Sequence, residues 1–392
     1  MPERARRRGP RPGQPGAFTL ALALACFGCA RGSREGAAAA AAPAPAPPPA
    51  AATAPLRVYV PNMMNATVSV VDAAAGRVDT TIRLTDLGFS PGAMPHHATA
   101  APDGSAWYLT LAGDGWVLKF DRANRLVART RLAWPGMVVL DPRRDRLYVS
   151  RALNAVNPPA SLGVFRASDL ALLDEVDVVA PRPHALAVDT VSGRVYTGSL
   201  SANQIAAYDP ATERVRVTNV AGPPHTFVGF AISPDGSRLV STTQLTNRLL
   251  VFDTGDPAGL KQIAEVAVDP WPYDAAYSPD GRAVWFGNQH GDDVTEVDAR
   301  TWRVAGVVRD PAFAEPHGVA LSPDGRTVFV SSHGRVPGGA GAGTMSMTSH
   351  YMSGERANGT LVVIDAATRT VRRVIEVGPY ASAIGVGGAA RP

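Results

Sequence analysis

Cysteine is nearly absent from this 392-residue chain, with only Cys26 and Cys29, both close to the N-terminus. The remainder can form no disulfide and has no thiol chemistry. Charged residues are scarce at 18% and aromatic residues at 7%, which argues against a coiled coil or a long-helix protein. The apolar stretch from Ala17 to Phe27 is far too short to span a bilayer as a permanent helix. Apolar residues, by contrast, make up 45% of the chain, alongside 38 glycines and 34 prolines. That share is ample for a core and excludes global disorder. The length suits two or three average domains, or one large all-β or α/β-barrel domain.

The formal charge of +4 would suggest nucleic acid or an anionic surface if it were spread over the fold. It is not. Residues 1–25 hold five of the 38 basic residues and one of the 34 acidic ones, so the remainder is balanced. A basic start (Arg4, Arg6, Arg7, Arg8, Arg11) before a short apolar run reads as a secretory signal over 1–25. Leu22-Ala23-Leu24-Ala25-Cys26 resembles a bacterial lipobox, which implies lipidation of Cys26 and an anchor in a membrane. Residues 26–55 are rich in Ala and Pro, the composition of an extended, polyproline-like spacer. The expected location is therefore exported, periplasmic or at the cell surface, with no nucleic-acid partner.

Residues 56–392 are repetitive. One unit reads Pro316-His317-Gly318, then VALSPDGRTVFV, then, after an insertion over 334–358, GTLVVIDAATRTVRRVIEVG. It contains four β runs divided by turn residues, and no stretch keeps a helical period. Opening prolines recur at Pro95, Pro135, Pro183, Pro224, Pro272, Pro316 and Pro379, spacings suited to one four-stranded unit each. The last unit has one strand, and its missing three lie at the front, over 57–61, 67–72 and 77–84. The expected fold is all-β: a seven-bladed β-propeller of four-stranded blades, closed by strands from both termini, which removes free sheet edges.

VYVPNMMNATVSVVDAAAGRV, SPDGRTVFVSS and GTLVVIDAATRTV resemble the YVTN-type seven-bladed propeller repeats of bacterial and archaeal surface proteins, from about residue 56 to 388. The resemblance implies the fold and leaves the function open. No tryptophan precedes an aspartate, so the WD-type propeller is not indicated. CxxCH is also absent, so no c-type haem is attached; neither haem nor nucleotide is expected as a cofactor.

Propeller topology puts the residues after each opening proline, and the loops after each second strand, on one rim. All eight histidines fall there: His96, His97, His184, His225, His290, His317, His333 and His350. So do the methionines after the first residue, including Met345, Met347 and Met352 in the insertion. Imidazole with thioether favours copper, so His96, His97, His184, His225, His290, His317, His333, Met345, Met347, His350 and Met352 are the candidate ligands. A double histidine with single ones from other blades resembles the copper–sulfide site of nitrous oxide reductase, although its cysteine-ligated second copper domain has no counterpart here. Two other readings stand beside copper. One is a lactonase-like hydrolase using Asp274, Asp293, Glu315, Arg182 or Arg335 with histidine; the other is a scaffold for an unknown protein or small-molecule partner.

Overall fold

A computed structural model describes residues 55–152, 157, 159–256, 259–335 and 357–388. The expected signal segment, Cys26 and all but the last residue of the expected spacer lie outside those residues, as do Met345, Met347, His350 and Met352 of the insertion. Seven antiparallel sheets of four strands each make an all-β, seven-bladed propeller. Blade 1 spans 95–131, blade 2 138–177, blade 3 183–219, blade 4 227–267, blade 5 272–309 and blade 6 316–379. Blade 7 joins Gly385–Gly387, as its innermost strand, to Arg57–Asn62, Thr67–Asp72 and Arg77–Arg83. The register Arg57↔Gly387 and Tyr59↔Gly385 ties the two ends of the chain together. Among the described residues the one helical element is a single 3-10 turn, Leu84–Leu87, and none is long and apolar enough to cross a membrane.

The strands form where the sequence alternates between two apolar neighbours. In Ala106–Leu111, Trp107 and Leu109 face blade 7, whereas Ala106 and Tyr108 face blade 2. Every seam between adjacent blades is packed in this way, so most of the core is seven slabs, with a smaller cluster of Ala152, Leu200, Val228 and Tyr273 drawn from blades 2 to 5. Outermost strands such as Leu126–Arg131 alternate half-buried and exposed positions and carry arginines, which discourages edge-to-edge pairing. The three SPDG turns share one geometry. Ser233, Ser278 and Ser322 each donate Oγ–H to the aspartate two residues on, while Gly236, Gly281 and Gly325 take φ near +70°. A left-handed backbone there is what only glycine adopts at little cost.

The structure corrects two of the expected blade openings. In every blade a left-handed residue precedes the innermost strand: Met94, Trp134, Arg182, Thr226, Trp271, Glu315 and Tyr380. In six of them its carbonyl accepts a hydrogen bond from the residue that follows the second strand, for example Leu200 N–H to Arg182 O and His333 N–H to Glu315 O. The ladder confirms the phase, since Phe227 pairs with Thr243 as Pro183 pairs with Ser199, and Ala381 bridges Asn62. Blade 4 therefore opens at Phe227, not Pro224, and the closing strand is led by Ala381, not Pro379. Proline suits the position but is not required there.

Candidate functional site

With the phase fixed, the equivalent innermost positions are His96, Gly136, His184, Val228, Tyr273, His317 and Ser382. Blade 2 offers no side chain, because Gly136 packs its backbone on Ser150. Across that gap the rings of His96 and His184 meet edge to face, centroids 5.7 Å apart at 89°. Both are buried. His184 Nδ1 lies 2.9 Å from the Val228 carbonyl oxygen, which can only accept. Nδ1 therefore carries the proton, and the lone pair of the neutral ring is on Nε2.

A second group lies on blades 5 to 7. The His317 ring centre is 4.2 Å from that of Tyr273 and 4.9 Å from that of His333, and His333 stacks on Tyr380 at 3.6 Å. His333 Nδ1 is hydrogen-bonded to Glu315 Oε2 at 3.1 Å, and His317 Nδ1 faces Asp274 Oδ2 at 3.8 Å. Arg335 Nε approaches Glu315 Oε1 at 3.7 Å, and Arg335 is bonded to Asp292. His333 comes from the loop after the second strand of blade 6, placed by its backbone bond to Glu315; His317 comes from the innermost strand of the same blade. Burial holds the Tyr273 phenol well above its usual value.

Three histidines are placed otherwise. His225 precedes the left-handed Thr226, and its ring nitrogens lie 3.0 Å from Thr246 Oγ1 and 3.0 Å from the Ala221 carbonyl. His97 Nδ1 accepts the Val138 N–H of the next blade, and burial lowers its pKa to about 4. His290 is exposed on the rim, stacked on Trp271 at 3.7 Å, with its pKa lowered by burial first. Among the described residues no three His, Cys, Asp or Glu side chains stand in a group ready to hold an ion. Of the described methionines, Met137 belongs to the blade 2–3 seam and Met63 is buried, while Met64 and Met94 are half-buried.

The acids named for hydrolysis also separate. Asp293 lies on the third strand of blade 5, bonded to Asn288, near Arg309 and beside Asp269; burial and that neighbouring carboxyl raise it to about 7. Arg182 is buried with Nε on the Ala152 carbonyl. Only Asp274 and Glu315 reach histidines. Asp274 is 6% exposed, its Oδ1 has no hydrogen-bond partner among the described residues, and burial pushes its carboxyl up to about 8.

That shift sets a pH dependence. A carboxyl raised above its unfolded value, near 3.9, stabilises the fold fully below about pH 4 and loses that contribution as pH rises through its folded value. For Asp274 the loss is complete only above about 8. Asp274→Asn removes the titration, so the variant should gain stability over the parent between those limits and match it in acid. Thermal unfolding across that range checks this; an offset independent of pH would refute it.

Sequence reasoning missed the Val228 carbonyl that orients His184, a backbone group with no side-chain signal. It also missed the pairing of Glu315 with His333, which topology could have suggested, since both sit on the rim of one blade.

No protein-family model matches the chain. The uncharacterized protein YncE of Salmonella typhi is 24% identical over 212 residues, 53% of this chain and 57% of the relative. YncE of Salmonella typhimurium is 23% identical over the same extents. The chain thus spans little more than half the length of the curated relatives it matches. Among solved structures, a functionally unknown protein from Desulfotomaculum acetoxidans superposes with a TM-score of 0.63 at 14% identity, covering 86% of this chain and 99% of the other. Apo AztD from Citrobacter koseri gives 0.56 at 12% identity, covering 85% and 98%. The dihydro-heme d1 dehydrogenase NirN in complex with DHE gives 0.53 at 16%, covering 84% and 74%. These likenesses are of fold.

Proposed function

We propose that the chain is a binding propeller whose rim mouth takes a transition-metal ion, copper first, between the histidines of blades 1, 3 and 6. The observation that carries the reading is the state of the Nδ1 atoms. A carbonyl holds that of His184 and a carboxylate that of His333, while the Asp274 carboxyl faces that of His317. Donation from one ring nitrogen to a carbonyl or carboxylate orients a metal-binding histidine and leaves its other nitrogen basic. Two imidazoles on one ion, at metal–nitrogen distances of about 2.0–2.1 Å, have ring centres about 5–6 Å apart. The His96–His184 separation of 5.7 Å fits that requirement. In this reading the thioethers of Met345, Met347 and Met352, in the insertion outside the described residues, favour copper over zinc. In this reading Cys26 carries a lipid that holds the domain at a membrane beyond the cytoplasm. NirN, solved in complex with DHE, is a case in which a protein of similar fold binds a ligand.

The test is metal analysis of chain purified without affinity histidines, before and after titration with Cu(I), Cu(II) and Zn(II). Near-integral copper is expected, and background metal after all three titrations would refute the proposal. A second reading, hydrolysis of a lactone, is favoured by the hydrogen-bonded His333–Glu315 pair, the arrangement of a general base and its orienting acid. Turnover of a lactone panel by metal-free protein would select it.

A further inference from the structure

The rim also carries a groove between blades 1 and 2, away from the histidine pairs. It has a volume of about 440 Å³ and is lined by Asp114, Arg131, Leu132, Trp134, Arg151 and Glu175, among others. That size lies within the range of small-ligand pockets. Its most unusual wall is Trp134. The indole is 37% exposed, on a residue held at φ +59° by the rim geometry. A large exposed aromatic face at the edge of a groove is a contact surface awaiting an apolar partner face.

The other walls restrict what that partner can be. Arg131 donates to the Asp114 carbonyl and lies 3.9 Å over the Trp116 ring. Arg151 is paired with Glu175 and donates to the Ala133 carbonyl. Asp114 accepts from the Ser90 backbone and hydroxyl. The groove thus holds two guanidiniums and two carboxylates, with Arg151 and Glu175 paired to each other, and has no net charge to offer. An acyl chain would take these charged groups out of water and offer their remaining donors and lone pairs no hydrogen bond, and a polyphosphate would lack the excess positive charge it needs. What fits is an uncharged molecule with one apolar face for the indole and many hydroxyls. Those hydroxyls would meet the remaining guanidinium donors and carboxylate lone pairs.

We propose that this groove binds a neutral carbohydrate, with a hexose ring stacked on Trp134 and its hydroxyls bonded to Arg131, Arg151 and Glu175. The site is independent of the metal reading and can stand or fall without it. Calorimetric titration of the full chain with maltotetraose, cellotetraose, laminaritetraose and chitotetraose tests it. At least one should bind with a dissociation constant in the millimolar range or tighter. Trp134→Ala should weaken that binding by roughly tenfold or more, with Trp134→Phe intermediate. Trp271→Ala, which changes the tryptophan at the same position of blade 5, should leave it unchanged, and copper uptake should be unaffected by either Trp134 variant. No binding of any of the four sugars would overturn the assignment. So would equal losses in Trp134→Ala and Trp271→Ala, or a preference for a single-stranded oligonucleotide through Trp134.

Discussion

Alanine at both His96 and His184 is expected to abolish copper uptake at the rim, lowering affinity on the order of a hundredfold or more. The magnitude follows from the ligand role. Removing even a group that only orients a metal-binding histidine typically costs ten- to a hundredfold, and here the two proposed ligands are lost from a site that the described residues supply sparingly. His225→Ala should change affinity little, because both nitrogens of that ring are occupied by Thr246 and Ala221. His97→Ala should also be mild, since its Nδ1 serves the Val138 amide between blades. Glu315→Gln should fall between these cases, because the amide still accepts from His333 but lacks the charge that strengthens the ring as a ligand. Competition against a chromogenic copper chelator reads all four, with unfolding midpoints showing that each variant is folded. Retention of parental affinity in the double variant would remove His96 and His184 from the site. An equal loss in His225→Ala would place the ion in blade 4 instead.

The propeller was legible because its evidence is local and repeated. Each blade carries short β-branched runs, SPDG or Asp-turn punctuation, and an opening near a proline; the three strands at the front supply what the last unit lacks. The closure at Tyr59 and Gly385 follows from that count. The phase of blades 4 and 7 was not legible, because the opening is defined by a left-handed residue and a ladder partner, neither of which needs proline. Thr226-Phe227 and Tyr380-Ala381 do the work of Arg182-Pro183 with different side chains. A shift of two or three residues there moved His225 out of the innermost row and put Val228 in it. That His96, His97, His184, His225, His290, His317 and His333 fall at strand openings or after second strands was legible in the same way as the blades. Their sorting was not, because it depends on partners far away in the chain. His184 is oriented by a carbonyl 44 residues on, and His97 meets an amide 41 residues on. Gly136 was readable only as a gap in a ring; its consequence, that His96 and His184 can meet, needed the curvature of three consecutive blades.

Trp107→Ala should destabilise the domain by about 3–5 kcal/mol, the cost of deleting a buried tryptophan that leaves a cavity. Trp107 is fully buried in the seam between blades 7 and 1. Its ring lies between those of Tyr59, 4.5 Å away at 18°, and Phe120, 4.0 Å away at 7°. Each offset stack adds about 0.5–1.5 kcal/mol beyond the area buried, so the upper half of the range is expected. The indole N–H also bonds to Asn124; that term is small, because water can replace the indole at this part-buried site. The location adds to the effect. Tyr59 is paired in the ladder with Gly385, so a seam loosened at Trp107 loosens the sheet in which the two chain ends are joined. Unfolding should therefore be detected first by proteolysis near residues 385–387 and not at the SPDG turns of blades 4 to 6. Trp134→Ala is the control, an exposed tryptophan whose loss should stay within about 0.5 kcal/mol. Chemical denaturation midpoints compare the two directly. A Trp107→Ala variant as stable as Trp134→Ala would mean that the blade 7–1 seam contributes little and that closure rests on the three-residue ladder alone.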